Sequence, residues 1–323
     1  MLNWKHIALI EALVIVAFII FFAFTQSNEP LINEPSESHL ISQRIKAGVL
    51  SQQSLLIFNF KPLEEDINKY IQENKLNISV YVLNIRDGAS LGVDEERRYA
   101  AASLNKVPVA MIILKKVEKG DLALDTKLSI SEQDRNSASG TLYLNKVEEL
   151  PIGELLKYLL QESDNTAFNV LAKQVTFKDG RILTEYLNLY QNNLSYDQPI
   201  SNLELTTKAT ASLFTSLYLS TFLTAEHSQL VLSYLTNTSY DVKKYADLPD
   251  DVTIAQKYGS FYYGHEQMFH SCGIMYIDDS RIFYCIMTQS IEKEKAEKTV
   301  GLIVNKIYKY VLEEKNENKY LNL

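Results

Sequence analysis

Ala100-Ala101-Ala102-Ser103-Leu104-Asn105-Lys106-Val107-Pro108-Val109-Ala110-Met111 sets a serine and a lysine three residues apart at the opening of an apolar helical run. Positions i and i+3 share a helix face, so the Lys106 amine can reach the Ser103 hydroxyl. A serine hydroxyl is a weak nucleophile without a base, and a lysine serves as that base only where burial or a second cation depresses its pKa. The small residues before Ser103 let other backbone come close, and a helix N-terminus offers free N–H groups to an oxyanion. Pro108, just past the first turn, removes a helical hydrogen bond and has no explanation at this level. Taken alone, the pattern also fits a plain helix N-cap followed by an exposed lysine.

Working outward, Ser163-Asp164-Asn165 falls between helical runs at 152–161 and 166–173, where Asp164 could simply cap the second helix. Lys257-Tyr258-Gly259-Ser260 reads as the end of a strand at 252–256, before a second strand, where a lysine and a free backbone N–H can face a cleft. A surface lysine before a turn fits the same residues. Before the serine stretch, 62–73 has helical spacing and 78–85 reads as a strand closed by the turn Arg86-Asp87-Gly88. The region from Ala100 to about Lys244 is mostly helical, and two or three strands follow from Thr253, with Asp278-Asp279-Ser280 as a hairpin turn. A closing helix over 295–314 carries Val300, Ile303, Val304, Ile307, Tyr308 and Val311 on one face. This order predicts an antiparallel sheet whose first and last strands are neighbours, with a helical subdomain inserted.

In this order, the three segments resemble the S-x-x-K, S-D-N and K-T-G motifs of the class A β-lactamases and penicillin-binding D,D-peptidases. The combination is far more specific than any part. The run from Ala101 to Ile130 resembles the family's nucleophile helix and following segment, Ser139-Gly140 its small-residue turn, and Glu162 to Ala172 its S-D-N junction. The resemblance covers roughly 75 to 315 and implies an α/β fold of the α+β type: an antiparallel sheet flanked by N- and C-terminal helices, with an inserted all-helical subdomain. It implies acyl transfer, with Ser103 as acylated nucleophile, Lys106 as its base or base partner, and Ser163 relaying a proton to the leaving nitrogen. Asn165 would hydrogen-bond the substrate amide. Lys257 would face the substrate carboxylate and hold the pKa of Lys106 down, while Tyr258, Gly259 and Ser260 line the substrate edge. The N–H groups of Ser103 and Ser260 would form the oxyanion hole. The implied partner is an acyl-D-alanyl peptide or a β-lactam, with no cofactor and no metal.

Two departures bear on chemistry. Tyr258 stands where the family pattern has a small hydroxyl residue, which casts doubt on substrate choice and favours a non-catalytic binding or sensor domain. Class A β-lactamases also carry an E-x-x-L-N loop whose glutamate activates the deacylating water. Between Tyr186 and Thr207 this chain has only Asp197 and Glu204 as acids, neither in that context. Slow turnover of an acyl-enzyme is therefore expected, with a true β-lactamase as the enzymatic alternative.

Composition bounds the rest. With 32 Lys and Arg against 40 acids, a net charge of −8 and no basic run, the chain lacks the electrostatic footprint of a nucleic-acid binder. Its 11 glycines form no phosphate-cradling loop. Cys272 and Cys285 are too few for a disulfide framework or a four-ligand zinc site, and their pairing is left open. His265-Glu266 with His270 misses the spacing of a helical zinc motif and lies in strand-like sequence. Residues 7–24 (IALIEALVIVAFIIFFAF) hold one charge, Glu11, and are long enough to span a bilayer, which predicts an N-terminal transmembrane helix. Lys5 before it and acids after it point the N-terminus to the cytoplasm and the remainder outside. An uncleaved anchor is favoured over a signal peptide because Ala23-Phe24-Thr25 is a poor cleavage site. The expected organisation is a cytoplasmic stub and anchor at 1–24, a linker at 25–44 and the serine hydrolase domain at 45–323.

Overall fold

The structure, a computed structural model, describes residues 58–187, 203–263 and 266–321. The expected anchor and linker, Asp197 and His265 lie outside the described residues. The chain enters through α1 (Lys61–Glu73), whose Pro62 sits in the first turn and whose Leu63 and Ile67 are buried. β1 (Ile78–Asn84) and β2 (Ser90–Val93) form a hairpin across Gly88, which holds a left-handed φ of 83°. β2 has no counterpart among the sequence expectations: four residues of Ser-Leu-Gly-Val are too short for their alternation to register.

After β3 (Tyr99–Ala100), a 3₁₀ turn (Ala102–Asn105) leads into α2 (Lys106–Glu118). The α-helix thus begins at Lys106, so Pro108 falls inside its first turn, where the missing N–H has no intrahelical acceptor to lose. The helical subdomain continues through β4 (Lys127–Ser129), β5 (Glu149–Pro151), α3 (Ile152–Gln161), α4 (Asn165–Ala172), α5 (Phe177–Tyr186), β6 (Glu204–Leu205), α6 (Thr207–Tyr218), α7 (Ala225–Leu235) and α8 (Val242–Ala246). The chain then returns through β7 (Thr253–Tyr263), β8 (Glu266–Ile277) and β9 (Ser280–Gln289) to α9 (Lys293–Leu321).

The main sheet runs β2-β1-β9-β8-β7, antiparallel throughout, and β1 pairs with β9 as expected (Val80 opposite Ile286). Because successive strand residues face opposite sides, the sheet buries two cores. One, with Ala255, Cys272, Ile274 and Phe283, meets α2, α3, α6 and α7. The other, with Val80, Val82, Met275 and Ile286, meets α1 and α9. On α9, Val300, Ile303, Val304, Ile307 and Val311 are each 0% exposed, and such side chains contribute about 1.5–3 kcal/mol each on burial. Cys272 and Cys285, directly opposed on β8 and β9, form a disulfide.

The region around Lys257 corrects the sequence reading. β7 does not end at Gln256: it continues unbroken to Tyr263, because Tyr258, Phe261, Tyr262 and Tyr263 are strong strand formers. Gly259 is not a turn residue. It lies mid-strand, and a Cβ there would sit 3.1 Å from the Ser103 nitrogen, 3.2 Å from the Ala101 oxygen and 3.2 Å from the Ala102 Cβ. Glycine lets edge strand β7 press against the serine turn.

Candidate active site

Three of the sequence-selected side chains converge on the nitrogen of a fourth. Lys106, 1% exposed, has its Nζ 3.0 Å from Ser103 Oγ, 3.2 Å from Ser163 Oγ, 2.5 Å from the Ser163 carbonyl oxygen and 2.7 Å from Asn165 Oδ1. The exposed-lysine alternative is thereby excluded. Burial pushes the Lys106 amine down to about 7, against a raising pull from Asp164. A neutral amine has two hydrogens and one lone pair. The two carbonyl-type oxygens can only accept, so they take both hydrogens, and the lone pair is left to the hydroxyls of Ser103 and Ser163. That is the arrangement of a base poised between two hydroxyl protons.

Local structure explains how the three residues reach that point. Ala102 (φ 47°) and Ser163 (φ 55°) both hold left-handed conformations, a strain that non-glycine residues carry where surroundings over-determine it, as at functional sites. Asp164 caps α4 by accepting from the Ala167 N–H at 2.8 Å, as the sequence suggested, and also accepts from the Leu142 N–H at 2.8 Å. The second bond was not legible in sequence. It ties the small-residue turn to the S-D-N segment, where the Asn165 N–H donates to the Ser139 carbonyl at 3.0 Å. Gly140 permits this, since a Cβ there would lie 2.1 Å from Asp164 Oδ2. Asn136, also missed, accepts from Asn165 Nδ2 at 3.4 Å and so helps turn the Asn165 oxygen toward Lys106.

Lys257 is 0% exposed, on the same sheet face as Cys272, with Nζ 3.1 Å from the Tyr258 carbonyl and 4.5 Å from the centre of the Tyr258 ring. The surface-lysine alternative is excluded here too. Burial first, and the Lys106 charge second, lower the Lys257 amine well below the lysine range. The sequence expectation had Lys257 depressing Lys106, whereas desolvation is the leading cause at both amines. Tyr258 points to the opposite sheet face, packs on Tyr240 with ring centres 5.5 Å apart, and shares a 2.8 Å hydrogen bond between its hydroxyl and that of Ser239. Ser260 follows Gly259 along β7 and is half-buried. Glu204 pairs with Ala100 in β6–β3, is exposed, and meets Arg98 at 3.5 Å. His270 is buried behind Ala100 rather than presented as a metal ligand, and among the described residues no group of three or more His, Cys, Asp or Glu side chains could hold a metal ion.

A family model described as "Beta-lactamase enzyme family" matches residues 62–311, which includes all of these groups. The chain belongs to the β-lactamase enzyme family. Among curated relatives, it is 26% identical over 215 residues to a β-lactamase of Proteus vulgaris, covering 62% of this chain and 71% of that one. It is 24% identical over 125 residues to β-lactamase VEB-1 of Pseudomonas aeruginosa, where the match spans 38% of this chain and only 41% of the relative's length. The fold of this family member is shared with solved PBP-A, at a TM-score of 0.70 and 19% identity over 78% of this chain and 97% of PBP-A. A PBP-A point mutant solved as its acyl-enzyme with penicillin G superposes at a TM-score of 0.66 with 20% identity, over 77% of this chain and 96% of that one.

Proposed function

We propose that this protein is a membrane-anchored, extracytoplasmic serine acyl-transfer enzyme that is acylated at Ser103 by β-lactams and by D-alanyl cell-wall peptides and releases the acyl group slowly. The observation that carries this reading is the Lys106 amine, buried, lowered to about 7 and 3.0 Å from Ser103 Oγ. In the forward step, Ser103 Oγ bonds to the substrate carbonyl carbon as its proton passes to Lys106 Nζ. The C–N bond then breaks, and the leaving nitrogen takes a proton from Ser163 Oγ, which is replenished from Lys106. Penicillin-G acylation of the PBP-A mutant supports β-lactams as a substrate class.

Slow release is argued from the acids between Tyr186 and Thr207, which are Asp197 and Glu204 alone. The Glu204 carboxylate is exposed beside Arg98. Its place beside the family's β-lactamases gives a second reading, rapid β-lactam hydrolysis. Intact mass after mixing with penicillin G separates the two. A stable adduct that Ser103→Ala abolishes is expected. Labelling that survives Ser103→Ala overturns the site, and rapid return to the free mass with excess cephalosporin hydrolysis establishes the β-lactamase.

A further inference from the structure

Behind the serine turn lies a buried imidazole that the chemistry above does not use. His270, on β8 directly opposite Gly259, is 0% exposed. Its Nε2 lies 3.1 Å from the Ala100 carbonyl oxygen. A carbonyl only accepts, so Nε2 carries the proton, and Nδ1 is left a buried lone pair that makes no hydrogen bond, although the Phe269 backbone as well as Ala100 pulls the imidazole upward. The Tyr99 ring meets it edge-on at 5.5 Å, with the Tyr99 hydroxyl bonded to Ser79 and the Arg97 guanidinium over the Tyr99 ring. Burial pushes the imidazole down to about 4, consistent with a neutral ring. A phenylalanine would fill this space without stranding an acceptor, so packing does not explain a histidine. The single N–H that it donates does.

That N–H grips the segment that aims Ser103. Ala100 is held on its other side by Glu204 of β6, the Ala101 N–H donates to the Leu203 carbonyl at 2.8 Å, and Ala102 follows in its left-handed conformation. We propose that His270 is a positioning residue: through the Ala100 carbonyl it fixes the turn that directs the Ser103 hydroxyl to Lys106 and the Ser103 N–H to β7. This rests on the reading of Ser103 as the acylated nucleophile.

Two variants separate the role from packing. His270→Phe keeps a ring and removes the donor, while His270→Gln keeps an N–H near the Nε2 position. In the full chain, hydrogen exchange at amides 101–104 is expected to quicken by about tenfold in His270→Phe, with β1 and β9 amides little changed. The penicillin G acylation rate constant should fall about 10- to 100-fold while the pre-covalent dissociation constant stays within about threefold. His270→Gln should restore most of both. Unchanged exchange in His270→Phe, or a glutamine variant no better than phenylalanine, overturns the proposal. Should the phenylalanine variant fail to fold, nitrogen NMR of wild type decides alongside His270→Gln: an Nδ1–H tautomer refutes it. Absence of wild-type acylation with exchange still responding would overturn the Ser103 reading and leave His270's hold on the turn standing.

Discussion

Lys106 is held by two acceptors that leave its lone pair to the hydroxyls, and this makes its charge state a rate variable. Only the neutral amine can take the Ser103 proton, so acylation by penicillin G should fall about tenfold per pH unit below about 7 and level off above it. A rate constant that is flat from pH 5.5 to 8.5 would remove Lys106 as the base. Lys106→Arg should be inert across that range, since guanidinium stays protonated. Lys257 gives a sharper test because desolvation is the leading cause at both amines, and the charge acting on Lys106 is that of Asp164. Lys257→Ala is expected to lower the plateau of acylation while leaving the inflection near 7, whereas an inflection moved upward by a full unit would restore Lys257 as the group that sets Lys106. The residue types at this site were legible in sequence because i,i+3 spacing and motif order need no tertiary knowledge. Gly259 was placed only at the substrate edge, and its close approach to the Ser103 backbone went unread, since glycine serves turns and close approach equally. His270 was weighed only as a metal ligand, because its acceptor, the Ala100 carbonyl, belongs to a segment about 170 residues earlier.

At the scale of elements, α9 shows how packing overrules propensity. Gly301 sits within this helix, where replacing glycine by alanine ordinarily gains up to about 1 kcal/mol. Here a Cβ would stand 2.3 Å from the Tyr245 carbonyl oxygen of α8, and backbone cannot swing aside. The clash term, about 1–3 kcal/mol, exceeds the propensity gain. Gly301→Ala should therefore lower the denaturation midpoint, and a neutral or raised midpoint would show that α8 yields freely. Elements with sustained periodicity were read well: the expected helix at 152–161 coincides with α3, and α9 begins within two residues of its expected start. The 3₁₀ turn carrying Ser103 was read as the first turn of the helix itself, because both repeats put residues three apart on one side. The extra length of β7 was lost for the opposite reason. Its aromatic residues carry strand propensity, but Lys257 and Gly259 interrupt the alternation that marks a strand.

For the molecule as a whole, export is the proposal most open to direct test. A phosphatase fused after Leu323 should be active outside the cytoplasm, and carbonate washing should leave the protein with the membrane fraction. Release by carbonate, or a mature N-terminus near Gln26, would overturn the anchor, and an inactive fusion would overturn the orientation. The topology itself was legible because a helix and strand at one end and strands and a helix at the other leave few ways to close a sheet. That closure sets the timetable of folding. β1 emerges early but becomes an interior strand only against β9, synthesised roughly 200 residues later. Until then a hydrophobic strand (Ile78, Val80 and Val82) has one unsatisfied ladder edge, which is an invitation to pair with another chain. Chains stalled or clipped before Ser280 would thus carry an orphan template for aggregation until their last strand arrives.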